Sequence, residues 1–444
     1  MPATMTDAAD LAAWIADQAR RSAAALEGAI SATDLVRRRE AFAQTVIPAR
    51  GSVLASPVIA DWDPEPDYFF HWVRDSAIVM QCVAELMQDA EDAAGRHRWR
   101  RHFEDFVRFS LALCDLEGAD FVSVSNHRQA TRRDSRKFLR PDAELRGLTG
   151  DSILGEPRFN PDGTLDILRW SRPQYDGPAL RALACLRYLA AGGAPSGELS
   201  RLLDLDLDFT RRHADARCIG PWEEAGENAH HYYVALVQLG ALLHGRAWAE
   251  GAGTAWRAAE DRLRAGLERH WSPHLGVYTA LRDAAGESAD DVIDAAVLLA
   301  VLDANLPDGP HSAGDPRVAE TQAALERLFA REFPINHGLP PERAPALGRS
   351  RGDRYFGGGA WYPTTLAAAG LCYRRAVLPG QEREDLLRRG DAFMASVRAL
   401  TPADGALSEQ VDRETGRQTS ARHLTWSYAA FVSTARLRAR AQRG

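Results

Sequence analysis

The sequence predicts an all-α fold in which about twelve helices form a closed double ring, with inner and outer helices alternating along the chain. Helical periodicity, rich in Ala, Leu and Arg, runs through most of the 444 residues, and runs of β-branched residues are few. No long polar linker separates the helical segments. Residues 1–444 are therefore expected to form a single domain.

The predicted helices are of two kinds, which suit the two rings. Segments 288–303 and 361–377 are apolar nearly all round, as an inner helix should be. Segments 253–270 and 381–399 carry Arg, Glu and Asp on one face, as an outer helix should. In chain order the predicted helices span 9–46 (either continuous or broken), 75–94, 97–116, 177–191, 197–213, 228–248, 253–270, 287–303, 316–331, 361–377, 381–399 and 422–440.

The connections that lead into every second helix are long or rich in aromatic and charged residues. They precede the second, fourth, sixth, tenth and twelfth helices, and the milder loop 271–286 precedes the eighth. These loops cover 47–75, 117–176, 214–227, 332–360 and 400–421. Because alternate connections of a double ring lie at the same end, the distinctive residues are expected to meet there.

The composition excludes several classes of function. A net charge of -7 argues against nucleic acid as the main partner, and no stretch approaches the roughly 20 apolar residues that span a bilayer. The five cysteines include no pair with CxxC spacing, so neither a disulfide framework nor a zinc site is expected. The alanine-rich N-terminus is interrupted by charges and does not resemble a signal peptide, which favours a cytoplasmic location.

Most tryptophans lie in or beside the distinctive loops. Core packing would explain any one of them, but flat apolar rings beside polar groups also suit pyranose sugars, which have an apolar face and a hydroxylated rim. Clustering at one end of the ring favours sugar binding. The residues are Trp62, Trp72, Trp170, Trp222, Trp271, Trp361 and Trp426.

Two of these loops carry candidate catalytic carboxyl groups. In Pro221-Trp222-Glu223-Glu224, acids precede a helix; this could be ordinary helix capping, or an acid held in an apolar wall so that its pKa rises and it can donate a proton. In Leu407-Ser408-Glu409-Gln410, a lone Glu could simply be solvated. Together, two carboxyl groups from distant loops on one rim are what glycoside hydrolysis requires.

An Arg-Asp pair follows directly after an aromatic run, Tyr68 to Trp72. Arg74 and Asp75 could form a local salt bridge, or could supply donors and acceptors for sugar hydroxyls. The adjacent His230 and His231 point to different faces of a helix and make a poor metal chelate. No phosphate-binding glycine loop is present, so neither a metal nor an organic cofactor is expected.

Together these segments resemble the glucoamylase family, glycoside hydrolase family fifteen, whose fold is an (α/α)6 barrel, also called a six-hairpin toroid. The Arg-Asp motif comes as early as residue 74, and the chain ends soon after the twelfth predicted helix. The resemblance is therefore to a compact bacterial member with the catalytic barrel alone, without a β-sandwich or a starch-binding domain. The matching runs are PDYFFHWVRDS (66–76), GEPRFN (155–160), RWSRPQYDGPALR (169–181), PWEE (221–224), GRSRGDRYFGGGAWY (348–362), LSEQVD (407–412) and SARHLTWSYAA (420–430).

The resemblance implies a role for each matched residue. Glu223 corresponds to the general acid and Glu409 to the general base of an enzyme that inverts configuration and releases β-glucose from the non-reducing ends of α-1,4-linked glucans or gluco-oligosaccharides. Arg74 and Asp75 correspond to residues that hold the terminal glucose. Further substrate-binding positions are Trp170, Glu224, Arg349, Tyr68, Trp72, Trp222, Tyr355, Trp361 and Trp426.

Some positions depart from the family pattern. His423 stands where an Asp is expected, Arg158 replaces a lysine, Gly352 occupies an expected acidic position, and the stretch 357–360 replaces a more polar segment. These differences leave open an α-1,6-directed glucohydrolase of the isomaltose or dextran type, and a non-catalytic sugar-binding barrel. A polysaccharide lyase on a similar barrel would need a basic site, which the two carboxyl groups do not suit.

Overall fold

Helices account for most of the protein in a computed structural model, which describes residues 5–62, 64–224, 228–248, 253–282 and 293–443. Within these ranges the α-helices are α1 (Met5–Gly28), α2 (Val73–Asp89), α3 (Ala93–Cys114), α4 (Gly118–Val124), α5 (His127–Ala130), α6 (Asp142–Arg146), α7 (Asp151–Leu154), α8 (Asp176–Ala190), α9 (Gly197–Arg212), α10 (Tyr232–His244), α11 (Gly253–Glu268), α12 (Ala296–Ala304), α13 (Pro316–Glu332), α14 (Tyr362–Ala376), α15 (Arg383–Leu400) and α16 (Thr425–Arg443).

Six of the described helices close an inner ring in the order α2, α8, α10, α12, α14, α16 and back to α2, and α1, α3, α9, α11, α13 and α15 pack outside it. Helix α10 is apolar on all sides and buried along its length, whereas α11 buries one face and exposes its charged face. The predicted (α/α)6 barrel is therefore confirmed. In the part of the chain that is described, no helix has the length and hydropathy needed to span a membrane.

The strands are short and lie mainly where loops enter inner helices. They are β1 (Arg37–Arg39), β2 (Gln44–Val46), β3 (His71–Trp72), β4 (Arg158–Phe159), β5 (His230–His231), β6 (Trp271–Ser272), β7 (Val277–Tyr278), β8 (Leu281–Arg282), β9 (Ala360–Trp361), β10 (Gln410–Val411) and β11 (Gln418–Thr419). All pairings between them are antiparallel: β1 with β2, β3 with β4, β5 with β8, β6 with β7, and β9, β10 and β11 in one sheet. The sheet of β9 to β11 joins the loops before α14 and α16.

The predicted helix 9–46 is wrong beyond Gly28. The chain turns into the β1–β2 hairpin, where Ala43 has a left-handed backbone conformation with φ of 50°. The hairpin is held because Arg37 and Arg39 are buried and both donate hydrogen bonds to the buried carboxylate of Asp67. This long-range contact overrides the local helical pattern.

The other predicted helices agree with the structure to within a few residues, with two exceptions in the middle of the chain. The predicted 228–248 shortens to α10, because residues 230 and 231 form β5. The predicted 287–303 is represented by α12, and its first part, 287–292, lies outside the described residues.

Candidate active site

A cavity that opens to solvent lies at the N-terminal ends of inner helices α2 and α16, and its empty space, with the solvent at its mouth included, is about 650 Å³. Every residue that the family resemblance assigns to catalysis or substrate binding lies on its wall, together with Pro221: Tyr68, Trp72, Arg74, Asp75, Trp170, Trp222, Glu223, Glu224, Arg349, Tyr355, Trp361, Glu409 and Trp426. Of the seven tryptophans expected to cluster, Trp62 and Trp271 do not line the cavity, and Trp271 packs on Tyr278 with ring centres 5.2 Å apart. The loops that the sequence singles out therefore meet at one end of the barrel, as expected for alternate connections of a double ring.

Glu223 sits in a tight turn that directs its carboxyl group into the cavity wall. Its backbone N–H donates to the Gly220 carbonyl at 3.1 Å, and its φ of 61° is a left-handed value that side chains other than glycine rarely adopt. The Ser171 hydroxyl donates to the backbone oxygen of Glu223 at 2.6 Å and holds the turn. Such backbone strain persists only where surrounding contacts enforce it, and it is concentrated at functional sites.

The surroundings of the Glu223 carboxyl group differ from the apolar wall that the sequence suggests. Oε1 accepts hydrogen bonds from Trp72 Nε1 at 2.9 Å, Arg74 Nη2 at 3.0 Å and Gln174 Nε2 at 2.8 Å. Oε2 accepts one, from Trp170 Nε1 at 2.5 Å. The tryptophans therefore present N–H groups as well as apolar surface. Since Oε1 is saturated with donors, Oε2 is the oxygen on which a transferable proton can reside.

Glu409 lies on another wall, directly before β10. Its backbone N–H donates to the Ala421 carbonyl, and its side chain is buried, with the residue only 3% exposed. Tyr68 donates to Oε1 at 3.2 Å, and the Ser420 hydroxyl donates to Oε2. Burial raises the pKa of Glu409 to about 7, while the hydrogen bonds from Ser420 and Tyr68 and the charge of Arg349 act in the opposite direction.

Arg74 and Asp75 occupy the first turn of α2. The Arg74 guanidinium donates to Asp176 at 2.8 Å and to Gln174 at 2.9 Å besides Glu223, so it connects α2, α8 and the Glu223 turn. Burial raises the pKa of Asp75 to about 6; Arg74 opposes this rise, and the charges of Glu223 and Asp176 add to it. Asp75 therefore presents to the cavity a carboxyl group that can both accept and donate hydrogen bonds.

A second arginine, Arg349, lies on the cavity wall beside Glu224. The buried Arg349 donates to Glu224 at 3.0 Å and to Asp353 through Nε at 2.8 Å. Its guanidinium carbon lies 5.5 Å from the ring centre of Trp222 and 5.3 Å from that of Trp361. This arrangement combines flat apolar faces with charged hydrogen-bonding groups, as a polyhydroxylated ligand requires.

The aromatic wall continues on both sides of Glu409. Tyr68 and Tyr355 share a hydrogen bond between their hydroxyl groups at 2.6 Å, and Tyr68 packs on Trp72 with ring centres 5.0 Å apart. Trp222 and Trp426 stack at 6.4 Å. The exposed Trp62, also singled out in the sequence, contacts Trp170 at 5.6 Å and extends the aromatic surface outward.

Several residues that hold the site are absent from the sequence-based list. Gln174 and Asp176 orient Arg74 and Glu223, Ser420 donates to Glu409, and Asp294 accepts the indole N–H of Trp222 at 2.8 Å. Gln174, Asp176 and Ser420 lie within the runs 169–181 and 420–430, so the motif positions could have identified them. Asp294 carries no such signal.

Two departures from the family pattern have a structural explanation. Gly352 has a φ of 73°, a left-handed conformation that suits glycine, in the turn that presents Asp353 to Arg349. His423 Nδ1 lies 2.6 Å from the Tyr428 hydroxyl, which in turn accepts the Leu407 N–H at 3.1 Å. His423 thus helps to fix the loop that carries Glu409.

Comparisons with known proteins find relatives among the glycoside hydrolases. A family model described as "Glycosyl hydrolases family 15" matches residues 39–388 and 381–436. A "Probable glucoamylase" of Schizosaccharomyces pombe is 27% identical over 427 residues, covering 86% of this chain and 84% of the relative. "Glucoamylase 1" of Rhizopus oryzae is 24% identical, over 83% of this chain and 64% of the relative.

Solved structures share the fold. The glucoamylase of Saccharomycopsis fibuligera has a TM-score of 0.75 at 22% identity and covers 97% of this chain and 96% of its own. The family 15 glucoamylase of Hypocrea jecorina has a TM-score of 0.70 at 24% identity, covering 88% of this chain and 67% of its own. At these identities the structural likeness concerns the barrel itself.

Proposed function

This chain belongs to glycosyl hydrolases family 15, and we propose that it removes single glucose units from the non-reducing ends of α-1,4-linked glucans or gluco-oligosaccharides, releasing β-glucose. One observation carries the proposal above all: two carboxyl groups from loops nearly two hundred positions apart, Glu223 and Glu409, lie on the walls of one aromatic cavity. Paired carboxyl groups on either side of a sugar are the machinery of glycoside hydrolysis. The relatives named above are glucoamylases, which supports the same substrate class.

Glu223 acts as the general acid in this proposal. Its Oε2 gives a proton to the glycosidic oxygen, so that the bond from the anomeric carbon to that oxygen breaks and the leaving sugar departs as an alcohol. Oε1 stays fixed by Trp72, Arg74 and Gln174 during this transfer. Positioning of the carboxyl group is worth as much as its acidity, because a proton donor must lie within hydrogen-bonding reach.

Glu409 acts as the general base. Its ionised carboxylate takes a proton from a water molecule, whose oxygen attacks the anomeric carbon from the face opposite the leaving group and inverts the configuration. The bonds from Tyr68 and Ser420 hold this carboxylate in place and favour its charged form. The cycle closes when Glu409 returns its proton to solvent and Glu223 takes one up.

The terminal glucose is held at the first turns of the inner helices. Asp75 supplies a buried hydrogen-bonding carboxyl group, Arg74 lines the same cavity while orienting Glu223, and Trp426 offers an apolar face. Glu224 and Arg349, which are joined by a hydrogen bond on the cavity wall, bind the next glucose unit of the substrate. A glucan must insert its non-reducing end into the cavity to reach Asp75. This mode of entry accounts for the removal of one glucose unit at a time.

Glucose release from four short gluco-oligosaccharides tests the proposed function. Purified protein should release glucose from maltose and maltotriose faster than from isomaltose or α,α-trehalose. Release from isomaltose alone would redirect the proposal to α-1,6 linkages. Failure to release glucose from any of the four, with binding of maltose retained, would support a sugar-binding barrel and overturn the proposal.

Replacement of Asp75 should damage activity toward every substrate, whatever its linkage, since all share the terminal glucose. Hydrogen bonds to charged groups contribute about 1.5–3 kcal/mol, so Asp75→Asn should lower kcat/KM by roughly 10- to 100-fold. The matched control is Asp303→Asn. Asp303 is a half-buried carboxyl group whose pKa is also raised to about 6 by desolvation, but it does not line the cavity. A loss confined to long substrates, or an equal loss in the control, would contradict the assignment.

The acid side of the pH profile should depend on Ser420. Because Glu409 must be ionised to act and its pKa lies near 7, kcat/KM should fall as the pH drops through that region. Ser420→Ala removes a hydrogen bond that lowers this pKa, so the acid limb should move up by roughly one pH unit.

The control for this shift is Ser433→Ala, which removes a similar bond from a serine hydroxyl to Glu85, away from the cavity. Profiles of kcat/KM for maltose between pH 4 and 9 measure the shift. An unchanged or lowered acid limb in Ser420→Ala would show that another group governs this ionisation.

We also propose that the protein works in the cytoplasm. Its five cysteines, Cys82, Cys114, Cys185, Cys218 and Cys372, are free thiols. Unpaired cysteines are typical of a reducing compartment.

A further inference from the structure

A ladder of buried charges lies behind the wall that holds Glu223. Arg140 bonds Glu156 at 2.8 Å, Glu156 bonds Arg172 at 2.8 Å, Arg172 bonds Asp166 at 3.0 Å, and Asp166 bonds Arg158 at 2.8 Å. Arg140 also bonds the half-exposed Glu144 at 2.8 Å, so three cations alternate with three anions along the ladder. Arg158, whose side chain is 1% exposed, is the member that reaches the tryptophans of the site.

Arg158 packs against three aromatic rings. Its guanidinium carbon lies 3.7 Å from the ring centre of Trp170, 4.1 Å from that of Phe70 and 4.8 Å from that of Trp72. The arginine stands directly opposite Trp72 in the β3–β4 pairing. Cation–π attraction is strongest where the cation is removed from water, as it is here.

The two indoles on Arg158 are the same two that donate to the Glu223 carboxyl group. Trp72 donates to Oε1 and Trp170 to Oε2, so one buried cation contacts both of the rings that define the position of the carboxyl plane. Resting on the proposed function, in which Glu223 is the general acid, we propose that Arg158 is a positioning residue whose buried guanidinium fixes the rings of Trp72 and Trp170.

One kinetic effect of Arg158 follows from this arrangement. Without the cation, the indoles lose the group that orients them, and the proton on Glu223 Oε2 is no longer aimed at the glycosidic oxygen. The value of kcat therefore falls while KM changes little.

Arg158→Met and Arg158→Lys separate the charge from the packing volume. Arg158→Met should lower kcat at least roughly 30-fold and change KM by less than about threefold. Arg158→Lys, which keeps the cation, should recover at least about a third of the wild-type kcat. Arg158→Gln serves the same purpose if the methionine variant does not fold.

The matched control is Arg181→Met, which removes another buried arginine from an ion pair, with Asp206 at 2.7 Å, away from the cavity. This variant should lose stability, but its folded fraction should keep the wild-type kcat and KM. If Arg158→Met behaved in the same way, Arg158 would be purely structural. If Arg158→Lys lost as much kcat as Arg158→Met, the cation would not be the active feature. Either result overturns the proposal.

A readout without turnover keeps this test independent of the proposed function. The indole N–H signals of Trp72 and Trp170, observed by NMR and assigned by Trp→Phe variants, should exchange with solvent faster in Arg158→Met than in wild type or Arg181→Met. Unchanged exchange would overturn the positioning role. Faster exchange in a protein that releases no glucose would leave the positioning role standing and reject the proposed hydrolase function.

Discussion

Glu223→Gln should lower kcat on maltose by about 10²–10⁴-fold or more while the protein stays folded. Glutamine keeps the shape of the side chain and can place its carbonyl oxygen where Oε1 accepts from Trp72, Arg74 and Gln174. Its amide nitrogen then faces the N–H of Trp170, so one hydrogen bond is lost. The variant has no proton to give to the leaving oxygen, and this loss dominates the kinetic effect.

A substrate with a leaving group that needs no proton identifies which step Glu223 serves. α-Glucosyl fluoride loses fluoride without general acid assistance, so Glu223→Gln should retain far more of its wild-type rate on the fluoride than on maltose. Glu260→Gln is the control, because Glu260 is a buried carboxylate away from the cavity that also accepts hydrogen bonds from an indole N–H, that of Trp256, and from an arginine, Arg246. If Glu223→Gln kept more than roughly a tenth of the wild-type rate on maltose, Glu223 would not be the acid.

Glu409→Gln should cause a loss of the same order, but on both substrates. The glutamine amide can still form hydrogen bonds with the hydroxyl groups of Tyr68 and Ser420, yet it cannot take a proton from water. Since a water molecule must be deprotonated whichever group leaves, the loss of kcat on α-glucosyl fluoride should be as large as the loss on maltose. The acid limb that titrates near pH 7 in the wild type should also disappear from the residual activity.

Steady-state rates on maltose and α-glucosyl fluoride, with thermal unfolding to verify folding, measure both effects. The two variants should differ only in their response to the leaving group. If Glu409→Gln retained more of its wild-type rate on the fluoride than on maltose, and Glu223→Gln did not, the acid and base assignments would be reversed. Full activity of either variant would remove that residue from the mechanism.

The barrel could be predicted from the sequence because each ring leaves a repeated local pattern. Inner helices such as α10 read as apolar on all sides, and the loops before them concentrate aromatic and charged residues. These patterns depend on neighbours close in sequence. The hairpin of β1 and β2 was missed because its stability comes from Asp67, which binds Arg37 and Arg39 from about thirty residues away.

The cavity wall could be predicted in composition but not in geometry. Motif positions brought Glu223, Arg74 and Trp170 together, as the structure also does. The environment of the Glu223 carboxyl group could not be predicted, because an indole beside a carboxyl group can offer either its apolar face or its N–H. Only the three-dimensional arrangement shows that Trp72 and Trp170 use their N–H groups on Glu223.

The anomeric form of the glucose released tests the central claim most directly. An inverting pair requires room for water between base and sugar, with carboxyl groups about 6.5–9.5 Å apart, whereas a retaining pair stands at about 5–5.5 Å. Proton NMR of the reaction on maltose, recorded before mutarotation, should show β-glucose as the first product from the non-reducing end. Initial release of α-glucose would contradict the assignment of Glu223 and Glu409 as an inverting acid and base.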